Sequence, residues 1–222
     1  DDSICGDTNG DTTASVPNTG DWHWIYFPET SDPDSQIRNA VIRYGGRSVD
    51  GWGDSHWHAP IRFYRANPKL ENITFEKNTR NGAAIMGGDW LTKELKISNV
   101  IHILEAELRI LQANTFTIPA GLIIKPEWDK GITVDGRLLA QGTSGEPIIF
   151  TSTADDSVCG VGAAGEPICD TNNNTTASVP NPGDWRMIVF SEVSDPQSEI
   201  SRAIFRYGGR DVDGWGDSHW RA

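Results

Sequence analysis

The sequence predicts an all-β solenoid assembled from tandem units, and three observations lead there. Helical periodicity is almost absent across the 222 residues. Apolar residues come in short runs broken by Gly, Pro, Asn, Asp, Thr and Ser, many of them alternating as a strand with one buried face alternates. Residues 170–222 repeat residues 7–59 at a constant offset of 163, with 37 of 53 positions identical and Asp50-Gly-Trp-Gly-Asp-Ser-His-Trp57 recurring unchanged as Asp213 to Trp220. Self-similarity of this kind marks a tandem array.

The elements follow in order. Trp22–Phe27, Ile37–Tyr44, Ile61–Tyr64 and Leu70–Phe75 are short strand-type runs, the last with Ile73 and Phe75 alternating. Leu95–Ile97 precedes an ambiguous stretch, Asn99–Ala113. Its residues are good helix formers, but Ile101/Ile103 and Leu108/Ile110 alternate, and the flanking β-rich sequence favours strands. Thr115–Ile118, Leu122–Lys125, Ile132–Val134, Arg137–Ala140 and Pro147–Ser152 follow at close intervals, then Arg186–Phe190 and Ile200–Tyr207 in the second copy. Strands this short and this closely spaced suit a coil that turns after each one.

Specific strings sharpen this. Thr117-Ile-Pro-Ala-Gly-Leu-Ile-Ile-Lys125, Ile132-Thr-Val-Asp-Gly-Arg-Leu-Leu-Ala-Gln-Gly-Thr143 and Pro147-Ile-Ile-Phe-Thr-Ser152 lead to an acidic loop, then Gly183-Asp-Trp185, Ile188-Val-Phe190 and Phe205-Arg-Tyr-Gly-Gly209. The first copy has Gly20-Asp-Trp22, Ile25-Tyr-Phe27 and Ile42-Arg-Tyr-Gly-Gly46. This series resembles the right-handed parallel β-helix (pectin-lyase-like) repeat proteins of bacterial and archaeal cell surfaces. The resemblance covers most of the chain and implies stacked coils with inward ladders, for which Ile123, Leu138, Ile149 and Ile188 are candidates, and corners at Gly121, Gly136 and Gly142. It places residues 1–95 in the C-terminal part of one unit and 96–222 in the N-terminal part of the next. The chain then reads as a window on a longer polypeptide. The implied function is extracellular and structural or adhesive, as a stalk, surface layer or fibre subunit that associates head to tail. The alternative is a carbohydrate-binding or polysaccharide-degrading, lyase-like β-helix.

Composition is consistent with that setting. The net charge of −12 opposes binding to nucleic-acid phosphates, and no apolar run reaches the length of a membrane span. Cys159 and Cys169 bracket a nine-residue insertion in the second copy, and their spacing predicts a disulfide. Cys5 has no such neighbour. Asn72, Asn173 and Asn174 head N-glycosylation triplets, which fits an extracellular chain.

Two candidate sites stand out. Asp7, Asn9, Asp11 and Thr13 alternate like the first half of a calcium loop, and Asp170, Asn172 and Asn174 occupy the second copy's version. The glycine and the terminal glutamate of such a loop are missing, and an Asx-rich turn satisfying its own backbone explains the same residues. The second candidate comprises Asp50, Trp52, Asp54, His56 and Trp57 with their twins Asp213, Trp215, Asp217, His219 and Trp220. Carboxylates, imidazole and indoles so close together suit sugar stacking or a metal; they also suit a wide turn whose Trp residues cover the end of a coil. A lyase needs clustered carboxylates, a cation and a basic residue. Arg43, Arg47, Arg206 and Arg210 lie near acidic loops, but no catalytic string matches and the five His residues are scattered. No catalytic residue is assigned.

Overall fold

A computed structural model describes residues 6–12, 15–47, 58–90, 93–96, 99–175 and 177–210. Among them there are nineteen strands and no helix. The first four are β1 (Ile25–Phe27), β2 (Gln36–Arg43), β3 (Ile61–Phe63) and β4 (Lys69–Glu76). Next come β5 (Ala83–Ile85), β6 (Gly88–Trp90), β7 (Lys93–Glu94), β8 (Ile101–Leu104), β9 (Leu108–Ile110) and β10 (Thr115–Ile118). β11 (Ile123–Pro126), β12 (Ile132–Val134), β13 (Arg137–Gln141) and β14 (Ile148–Phe150) follow. The short pair β15 (Gly160–Val161) and β16 (Pro167–Ile168) precedes β17 (Ile188–Phe190), β18 (Glu199–Ser201) and β19 (Ala203–Phe205).

From β5 onward the chain visits three sheets in rotation. A seven-stranded sheet has the order β1-β3-β5-β8-β11-β14-β19, and two four-stranded sheets have the orders β17-β12-β9-β6 and β18-β13-β10-β7. β2 and β4 form a separate pair. Every described pairing is parallel except β15 with β16. The sheets run on across residues 95 and 96, since β6 pairs β9 and β7 pairs β10.

One apolar core fills the space between the sheets. The large sheet supplies Ile61, Phe63, Ile85, Leu104, Ile124, Ile148 and Phe150; the others supply Leu108, Ile110, Ile132, Val134, Phe116, Ile118, Leu138 and Ala140. Register stacks these residues, as in Leu108–Ile132–Ile188 and Phe116–Leu138. Trp90 and Phe116 meet edge to face at 5.4 Å. Burying each large apolar side chain stabilises the fold by about 2 kcal/mol.

The ambiguous stretch 99–113 forms β8 and β9. Of the four expected ladder residues, Leu138 lies in the core and Ile188 packs against it. Ile123 and Ile149 do not: Leu122 and Ile124, and Ile148 and Phe150, face the core instead, while Ile123 packs on a second cluster of Ala59, Ala84, Ile101 and Ile103 outside the large sheet. Runs of consecutive apolar residues carry no parity signal when both faces of a strand are covered. Gly121 does sit at a corner with φ +80, where glycine pays no steric penalty.

No helix of the described residues is long and apolar enough to cross a membrane.

Candidate functional site

The two sequence copies have the same local structure. The Trp22 indole N–H donates to the Arg43 carbonyl at 2.6 Å, and that of Trp185 to the Arg206 carbonyl at 2.8 Å. Gly46 N–H donates to the His23 carbonyl, as Gly209 N–H does to that of Arg186. The Asn18 and Asn181 amides donate to Asp21 and Asp184 at 2.8 and 3.0 Å. The Tyr-Gly-Gly motif has a steric cause: a Cβ on Gly45 would lie 2.5 Å from the Trp22 ring, and one on Gly208 would lie 2.8 Å from Trp185. Left-handed residues bend the chain at equivalent points, Asn39 (φ 51) within β2 and Arg202 (φ 50) between β18 and β19.

Their surroundings are complementary. In the first copy, β1 and β2 stack on β3 and β4, which follow them in the chain. In the second copy, β17, β18 and β19 stack on β12, β13 and β14, which precede them. Each copy is covered on the side that the other leaves at the end of its sheets. Ile42, paired with Phe75, is 9% exposed, whereas its counterpart Phe205 is 48% exposed although it stacks on Phe150 at 5.0 Å. Phe190 is 43% exposed. Among the described residues the seven-stranded sheet therefore ends in β1 on one side and β19 on the other, both from the repeated sequence, whereas the four-stranded sheets end in β17 and β18 on one side and in β6 and β7 on the other.

The acidic loops are built from inward hydrogen bonds. Asp7 accepts from the amides of Gly10, Asp11 and Thr12 at 2.7, 3.1 and 2.7 Å, and Asn9 donates to Asp11 and Ser15. The Thr12 amide leads in holding the Asp7 carboxyl below its usual range. Asp170 likewise accepts from the amides of Asn174 and Thr175, and Asn172 and Asn174 both donate to Ser178. Oxygens of Asp11, Asn172 and Asn174 remain without a hydrogen-bond partner. Among the described residues no three His, Cys, Asp or Glu side chains gather as metal ligands. Thr13 lies outside the described residues, as do Asp50, Trp52, Asp54, His56, Trp57, Asp213, Trp215, Asp217, His219 and Trp220.

A seam of buried charge on the outer side of the large sheet went unread in the sequence. Glu105 accepts from the amides of His58 and Ala59 at 2.6 and 2.7 Å and pairs with Arg62 at 2.9 Å. Burial pushes the Glu105 carboxyl up to about 7, against the pull of the guanidinium. Lys125 donates to the Asp155 carbonyl and to Thr171 Oγ1, both at 2.8 Å, and burial lowers its pKa to about 8. Lys125 lies under the acidic loop, which folds back over the sheet, with Gly160 packed on Ile101 and Val161 N–H donating to the Asn99 carbonyl, whereas Glu105 and Arg62 meet the backbone of His58 and Ala59 and the Trp24 ring. The signal available in the sequence was a charged residue inside a strand-type run, Lys125, followed by a long loop that must cover something.

The remaining candidates have definite places. Cys159 and Cys169 form a disulfide at the base of the β15–β16 hairpin. The hairpin tip reaches Thr74, whose hydroxyl meets Glu166 at 2.5 Å and the Ala163 amide at 2.9 Å. Asn72 Nδ2 donates to Asn39 Oδ1, Asn173 Nδ2 to Thr19 Oγ1 and Asn174 Nδ2 to Ser178 Oγ. Arg43 pairs with Glu76, Arg206 with Asp155, and Arg210 with Asp129 while lying over the Trp128 ring at 3.7 Å.

Comparison with models of protein families, with curated proteins and with solved structures found no match.

Proposed function

We propose that this chain is a stretch of right-handed parallel β-helix of the pectin-lyase-like, cell-surface type, working outside the cell as a stiff structural or adhesive segment that associates end to end. The observation that carries this reading is that, among the described residues, one repeated sequence supplies both end strands of the seven-stranded sheet, β1 and β19, each packed on the side the other leaves. A stack whose ends are strand edges is a template for further strands, and heterologous contacts of that kind propagate when they do not close into a ring. The disulfide-clipped hairpin and the three glycosylation triplets fit an oxidising, extracellular setting. Calcium at the acidic loops belongs to the same proposal, supported by the unpartnered oxygens of Asp11, Asn172 and Asn174.

Sedimentation velocity over a wide concentration range tests the reading. Association that grows with concentration into a ladder of species supports it. A monomer at every concentration, joined to a shift in tryptophan fluorescence with pectin or alginate, would replace it with the carbohydrate-binding reading.

A further inference from the structure

We propose that residues 156–170 form a redox-operated strap: reduction of the Cys159–Cys169 disulfide lets the strap lift from the outer face of the large sheet and bares the Lys125 amine. The proposal does not rest on end-to-end association.

The strap is fastened to the body at four places. Its feet meet at Lys125, a fully buried side chain whose amine donates to the Asp155 carbonyl on one side and to Thr171 Oγ1 on the other. Register puts Lys125 beside Ile103, and among the described residues its hydrogen bonds go to these two feet. The second leg is tied to the β4–β5 connection, where the Asn81 amide donates to the Thr171 carbonyl and Asn81 Nδ2 to the Asp170 carbonyl, both at 2.8 Å. The first leg lies on Ile101, with Val161 N–H donating to the Asn99 carbonyl at 2.8 Å. Thr74 holds the tip through the Ala163 amide and Glu166.

The two legs hold each other less firmly. Strands β15 and β16 pair only Gly160 with Ile168 and Val161 with Pro167, and a two-stranded hairpin is at best marginally stable by itself in water. The disulfide closes it across a sequence separation of 10. Reagents can reach that bond. Both cysteines are half-buried, and open grooves of about 670 and 690 Å³ run along the hairpin. Cys159, Gly160 and Val161 line one with Asn99 and Ile123; Pro167, Ile168 and Cys169 line the other with Val41 and Phe75. The nine residues Val161–Cys169 have no counterpart in the first copy, so the strap is an addition to the coil.

The chemistry is thiol–disulfide exchange with a dithiol. One thiolate of the dithiol attacks a strap sulfur, the S–S bond breaks, and the second thiol resolves the mixed disulfide. Two electrons and two protons pass to the protein, which gains two thiols, and the reductant leaves as its own disulfide. Losing a cross-link over a loop of this size multiplies the open population by about a hundredfold. Opening stays local, because β15 and β16 form their own small sheet and carry none of the ladder between coils.

Amine acetylation of the full chain, read lysine by lysine by peptide mass spectrometry, tests this in a Cys5→Ser background where only this pair exchanges. Dithiothreitol is the reductant, and thiol titration confirms complete reduction. Lys77, exposed in the native fold, is the reference, and amide hydrogen exchange in β10 and β13 reports on the body. Reduction should raise Lys125 acetylation relative to Lys77 by about a hundredfold while β10 and β13 keep their protection. A Cys159→Ser, Cys169→Ser protein should show the raised rate without reductant; if that protein does not fold, the reductant arm decides alone. Lys125 as protected after complete reduction as before it overturns the proposal. So does a disulfide that dithiothreitol leaves intact in the folded protein. Acetylation that rises only together with exchange throughout β10 and β13 overturns it too, since that is unfolding of the body and not release of a strap.

Discussion

His102 and Glu105 lie three residues apart, are both buried, and titrate in opposite senses. Burial takes His102 from 6.5 down to about 4 and Glu105 from 4.5 up to about 7. The lowered His102 contributes stability that is present above pH 6.5 and lost as pH falls through about 4. The raised Glu105 contributes stability that is present below pH 4.5 and lost as pH rises through about 7. Each spans about 2.5 pH units at about 1.4 kcal/mol per unit, or about 3 kcal/mol. Between those limits the folded chain has gained one proton at Glu105 and shed one at His102, so the two contributions cancel. Glu105→Gln keeps the shape and one acceptor for the His58 and Ala59 amides but removes one titration. Its unfolding free energy should fall by about 3 kcal/mol from pH 6.5 to pH 4, beyond any change in wild type. His102→Leu should show the opposite slope, losing stability as pH rises toward 7. Urea unfolding followed by tryptophan fluorescence reads both. A Glu105→Gln profile parallel to wild type across this range would refute the reasoning.

Three further outcomes follow from the structure. Burial depresses Lys125 to about 8, so its contribution is present above 10.5 and lost as pH falls through 8; wild type should gain about 3 kcal/mol on moving from pH 8 to 10.5, and Lys125→Met should not. Replacing Cys159 and Cys169 by Ser opens a loop of sequence separation 10 and should cost about 3 kcal/mol; an unchanged melting temperature would mean the hairpin holds Thr74 without its clip. A chelator should lower the melting temperature of wild type and leave an Asp7→Ala, Asp11→Ala protein unmoved; equal curves for both would remove calcium from the account.

Strands and their order were legible wherever turn residues fenced a short apolar run. The core positions Ile73 and Phe75 followed from alternation within such a run, and Leu138 from the expected ladder. Ile123 and Ile149 misled because they sit in unbroken apolar runs that carry no parity signal; Ile123 packs on the cluster around Ile101 and Ile103. Strand β5 escaped notice because Ala83 and Ala84 are weak strand formers, chosen here for a tight fit: both are fully buried. The paired ends of the candidate site were legible as a 163-residue repeat. Which side each end leaves open was not, because it depends on whether the partner layer comes before or after the repeat in the chain. The burial of Arg62, Glu105 and Lys125 was not legible, since nothing local in the sequence says what will cover them.

The central claim is that the chain is a β-helix segment that continues end to end in its native material. Cryo-electron microscopy of that material at high concentration tests it most directly. The account expects unbranched filaments whose averaged images carry a layer spacing of about 4.8 Å along the axis, the separation of stacked parallel strands. Dispersed particles of one fixed length, or filaments lacking that axial spacing, would contradict it.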